Sequence, residues 1–210
     1  MTLTDYGLTI LCSWFAWNHW QQETHSSHYR ALWTLFFGSL AVASLTGGTV
    51  HGFFLDTSTF GYRMLWPTTL IAIGVTAASA WVLTGFSISK SMHNIKKWAI
   101  FAVIIFLFYS TVVLFYSQRF SVVIFNYVPP MVALLVVSVR EFTRTRTNPF
   151  FLVTGGILVT LVAACIQQAG LGLHPDYFNH NSTYHLVQAI GLFILFKGSI
   201  GLTRIERIAR

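Results

Sequence analysis

The run KWAIFAVIIFLFYSTVVLFYS, residues 97–117, carries a single charge, the lysine at its head. At about 1.5 Å of rise per residue it reaches about 30 Å, the hydrocarbon thickness of a bilayer. Its apolar residues are continuous instead of alternating, which makes it a helix and not a strand of a barrel. Behind it, YSQRF at 116–120 is a short turn, and a second apolar run starts at once. Counted outward from this pair, spans are expected at about 4–20, 31–54, 62–86, 97–117, 120–140, 149–173 and 183–203. The sequence therefore predicts an all-α integral membrane protein, a single seven-helix transmembrane bundle over residues 1–210.

Composition points the same way. Hydrophobic residues make up 54% of the chain and charged ones 9%, where a soluble domain has about a quarter charged. The net charge of +7 then speaks to topology, because a basic patch for nucleic acid needs a solvated domain to carry it. Membrane lipid is the expected partner and nucleic acid is not. Cys12 and Cys165 both fall in apolar runs and read as small hydrophobes, not as a disulfide framework. The start, MTLTDYGLTILCSWFAW, lacks a basic leader and a small-residue cleavage site, so it is expected to be a retained first span.

The charges orient the bundle. With the N-terminus outside, the cytoplasmic segments hold Arg30, Lys90, Lys96, Lys97, Arg140, Arg144 and Arg146, and the tail arginines Arg204, Arg207 and Arg210. The outer loops hold only Arg63 and Arg119. Under the positive-inside rule this gives an N-out, C-in protein of a plasma, inner or endomembrane. Pro129 and Pro130 interrupt the fifth span and are expected to bend it or to open carbonyls near Asn126.

In that orientation two distant histidines reach one depth. His51, in TGGTVHGFFLD, ends the second span, and His185, in NHNSTYHLVQ (179–188), starts the seventh. His174, His180, Asn181, Asp56 and Asp176 fall in the same outer layer. Asn181, His185 and Gln188 share a helix face by spacing. Glycines 47, 48 and 52 around His51 allow close helix approach. Imidazoles gathered inside a membrane suit zinc, copper or iron, with an open position for water. They suit equally a set of core histidines satisfied by one another or by Gln167, Gln168 and Gln188, beside an aromatic belt of Tyr177, Phe178 and Tyr184. Asn181-Ser182-Thr183 also spells a glycosylation sequon. His25 and His28 read as a solvated cytoplasmic loop.

In helix count, N-out orientation, His51 late in the second span and His185 early in the seventh, the chain resembles the seven-helix hydrolases of the alkaline ceramidase and adiponectin receptor type. That resemblance implies a zinc ion held between the second and seventh helices and a lipid amide or ester as substrate. Asn181 stands where the family's HxxxH pair has its first histidine, so His180 is expected to substitute. The third span carries no aspartate, and Gly47 stands four residues before His51. Carried onto this chain, the resemblance implies zinc on His51, His180 and His185. Asp56 or Asp176 would be the base or orienting group, and Asn181 a carbonyl-polarising donor. The lipid would enter from the outer leaflet.

Other functions are open. A non-catalytic receptor, sensor or structural protein with a hydrogen-bonded histidine cluster fits the same residues. Lys197 in the last span invites a retinal Schiff base, but with all six acids at span ends no counter-ion lies within the membrane, and Lys197 is expected to snorkel to the headgroups. A transporter would place carboxylates near the midplane or show repeats, and a bis-histidine haem would need ligands lying deeper.

Overall fold

The structure, a computed structural model, describes residues 1–22, 27–89, 91–174 and 178–208, with 204–208 as backbone alone. Apart from one isolated backbone bridge between His174 and Phe178, the regular structure among these residues is helical. The helices are α1 (Thr2–Trp20), α2 (Ser27–Phe53), α3 (Phe60–Ile88), α4 (Met92–Phe115), α5 (Phe120–Thr145), α6 (Asn148–Gln168) and α7 (His180–Ile208). Six of them, α2 to α7, are long and apolar enough to cross a membrane. The sixth expected span ran to residue 173, but α6 stops at Gln168. Beyond it Gly170 takes a positive φ of 69°, a conformation open to glycine at little cost. The proline pair leaves α5 continuous from Phe120 to Thr145.

Helix α1 is less apolar, yet it touches two spanning neighbours near both of its own ends. Against α2 it runs antiparallel. Tyr6 meets Thr49 at 3.2 Å, the Thr9 and Ser44 hydroxyls are 3.0 Å apart, and His19 stacks on Trp33. Against α7 it runs parallel, with Thr4 beside His185 and His19 beside Ser199. The contacts close a ring in the order α1, α2, α3, α5, α6, α7 and back to α1, while α4 packs outside it on α3.

Small residues set the tightest seam. A Cβ on Gly156 would lie 2.5 Å from the backbone nitrogen of Leu195, so α6 and α7 pack backbone on backbone. Near the C-terminal end of α1 the ring is filled by aromatics. Phe15 stacks on Phe196 at 4.3 Å, and Trp33, Phe36 and Phe37 are fully buried around them. At the other end the filling stops, and the ring encloses a cavity.

Candidate functional site

The cavity has a volume of about 710 Å³ and is lined by all six helices of the ring, with no residue from α4. Leu8, Cys12, Leu40, Val123 and Leu192 give it an apolar wall. Its polar groups gather toward one end, where α1 and α7 begin and α2 finishes.

Asp5, in the first turn of α1, is the centre of that end. It is 4% exposed, and each carboxylate oxygen faces a different imidazole. Oδ2 lies 3.4 Å from His51 Nδ1, and Oδ1 lies 3.3 Å from His185 Nε2. The sequence explains how the acid reaches this place. Gly48 on α2 sits against Asp5, and a Cβ there would fall 2.6 Å from the Asp5 Cβ. Gly48 and Gly52, which face Asp5 and Thr2, thus admit α1 and its acid, while Gly47 faces Thr69 of α3.

The Thr4 hydroxyl lies 2.6 Å from the Met1 carbonyl and 2.9 Å from His185 Nδ1, and its one proton can be given to either. Each imidazole can present an N–H to one oxygen of Asp5, His51 from Nδ1 and His185 from Nε2. A charge in so little solvent persists only because it is paired.

Three polar side chains of the 179–188 stretch have partners away from Asp5. The Asn179 carboxamide accepts from the Ser182 N–H at 3.1 Å and caps α7. Asn181 accepts from Gln167 Nε2 of α6 at 3.0 Å and lines the cavity. The Thr183 hydroxyl accepts from the Leu173 N–H at 3.1 Å, tying the preceding loop to the helix.

His51, His185 and Asn181 therefore come together, and other expected residues lie elsewhere. His180 starts α7 and does not line the cavity. Asp56 is fully exposed in the α2–α3 turn. There the Ser58 N–H donates to it at 2.8 Å and holds its carboxyl below the usual carboxylate range. Asp176 lies outside the described residues, as do His25, Lys90 and Arg210. Lys197 is exposed, with its ammonium 5.3 Å from the Phe193 ring centroid, and does not reach the cavity. Sequence reasoning missed Asp5 and Thr4. Treating Asp5 as one more acid at a span end overlooked that the first turn of α1 stands level with His51 and His185.

A zinc site asks for three or four donors converging at about 2.0–2.3 Å on one point. Here the two imidazoles address opposite oxygens of one carboxylate, and the second nitrogen of His185 is taken by Thr4. Among the described residues no group of three or more His, Cys, Asp or Glu side chains is arranged to hold a metal ion. These residues do not fit the zinc that the resemblance implies.

Residues 1–204 match the Family of unknown function (DUF6962), and the chain belongs to that family. No curated protein and no solved structure matches it.

Proposed function

We propose that this family member crosses the membrane seven times, N-terminus outside, and binds a single-chain amphiphile in the ring. The polar head would rest on Asp5, His51 and His185, and the tail would lie among Leu8, Cys12, Leu40 and Leu192. One observation carries this reading: a buried carboxylate shared by two imidazoles heads a mostly apolar cavity of about 710 Å³. That volume falls within the roughly 300–1,000 Å³ typical of small-molecule sites.

The residues name the kind of head. A carboxylate and two imidazoles together accept and donate, so they suit an uncharged head such as an alcohol, amide, ester or protonated acid. Such a head would bring no further charge into the buried site. Seven crossings are supported by α1, which touches α2 and α7 near both of its own ends, and the orientation by the excess of Lys and Arg in the odd-numbered loops and the tail.

Thermal unfolding of the detergent-purified protein with a panel of single-chain alcohols, amides and acids tests the reading. A true ligand at a hundred times its Kd stabilises by about 2.7 kcal/mol. Ala164→Phe, which narrows the cavity, should abolish that gain. A gain that survives Ala164→Phe would place the ligand elsewhere and defeat the reading.

A further inference from the structure

Two more cavities lie on the outside of the ring, one on each side of α2. The first, about 540 Å³, runs between α2 and α3 from Ala31 to Val42, with Thr68 and Val75 on its far wall. The second, about 490 Å³, runs between α1 and α2 from Thr34 to Leu45, with Ser13 and Trp17 opposite. Both are lined by Trp20, Thr34, Gly38 and Val42. Thr34, Gly38 and Val42 are spaced four apart and form one row on the helix. They are the ridge between the two grooves, and at Gly38 that ridge has no side chain.

The same row begins with Arg30. Its guanidinium lies 5.7 Å from the Trp20 ring centroid, and Nη1 donates to the Gln22 carbonyl at 2.9 Å. A guanidinium has five N–H donors in a fork that matches phosphate, so the foot of the ridge offers a cation braced by an aromatic ring. Eleven helical steps, from residue 31 to 42 or from 34 to 45, rise about 16 Å, close to half the hydrocarbon thickness of about 30 Å. Each groove is therefore as long as one acyl chain in one leaflet, and the two meet beneath a single positive charge.

From this geometry we infer a second lipid site: an anionic, two-chain glycerophospholipid straddles α2, its phosphate on Arg30 and one acyl chain in each groove. The two-chain form follows from two grooves sharing one ridge, and the negative charge from Arg30. The site lies in the leaflet bordering the N-terminal end of α2. It rests on α2 crossing the membrane and on nothing at Asp5, so either site can stand without the other.

Native mass spectrometry of the full chain tests it, with phosphatidylglycerol, phosphatidylcholine and one-chain lysophosphatidylglycerol supplied in turn. The wild type should retain one phosphatidylglycerol about five-fold more than phosphatidylcholine, the worth of one basic side chain at an anionic surface. Arg30→Gln should level that preference while keeping wild-type occupancy of the enclosed cavity. Gly38→Leu, which fills the ridge, should lower retention of both two-chain lipids, with an unchanged melting temperature as the control for folding. Equal retention of the two lipids by the wild type would overturn the proposal. So would lysophosphatidylglycerol held as well as phosphatidylglycerol, or a folded Gly38→Leu protein that retains both.

Discussion

Gly48→Ala is the smallest change that separates α1 from the histidines. The added Cβ would sit 2.6 Å from the Asp5 Cβ, where carbon atoms rest at about 3.5–4.0 Å. Asp5 Cβ is anchored to the α1 backbone, so relief requires α1 to move away by about 1 Å. Overpacking of this kind costs about 1–3 kcal/mol, and alanine returns about 0.5–1 kcal/mol of helix propensity. The net loss is on the order of 1–2 kcal/mol, or a fall in Tm of about 2–8 °C for a chain of this length. The same movement stretches the Asp5 contacts of 3.3 and 3.4 Å beyond any useful hydrogen bond, so ligand binding should fall as well. Gly38→Ala is the matched control, because its Cβ would meet Ala16 Cβ at 3.9 Å, an ordinary contact. Melting curves of both variants in one detergent, with and without ligand, make the comparison. A Gly48→Ala protein as stable and as ligand-responsive as Gly38→Ala would refute the packing argument.

Four further outcomes follow. Asp5→Asn should lower the ligand-induced rise in Tm, while Asp56→Ala, confined to an exposed turn, should leave it unchanged; the reverse order would return the acid role to Asp56. Protection of the Ser58 amide, its exchange rate set against the intrinsic rate at each pH, should fall as acid protonates Asp56 through its lowered pKa, which exchange followed by nuclear magnetic resonance can read. Elemental analysis of the purified protein should find zinc well below one per chain, and stoichiometric zinc lost in both His51→Ala and His185→Ala would restore the hydrolase expectation. With Cys12 and Cys165 replaced by alanine, a cysteine at Thr57 should react with an impermeant thiol reagent added outside the cell and one at Thr145 should not; the opposite labelling would invert the bundle.

Helices were the most legible part of the sequence, for a reason that lies in the solvent. A span in lipid must be apolar along its whole length, so runs such as 97–117 announce themselves without knowledge of their neighbours. The pairing of His51 with His185 was legible too, because orientation alone sets their depth. Asp5 was not. Its role depends on which helices touch, and the close approach of α1 to α2 at Gly48 is a packing fact without a periodic signal. His180 and Asn181 are adjacent in the chain, yet only one lines the cavity, because neighbours on a helix point about 100° apart and the close packing of α7 on α6 fixes which face turns inward. The two grooves beside α2 depend on α1 and α3 leaving its outer face open, which no local pattern records.

The central claim is that Asp5, His51 and His185 head a ligand cavity. Its most direct measurement is the mass of whatever molecule copurifies with the wild-type protein, set beside Asp5→Asn and Ala164→Phe prepared identically. The account predicts a single-chain amphiphile with an uncharged polar head, reduced by the first variant and absent from the second. Equal amounts of the same molecule in all three folded proteins would contradict it.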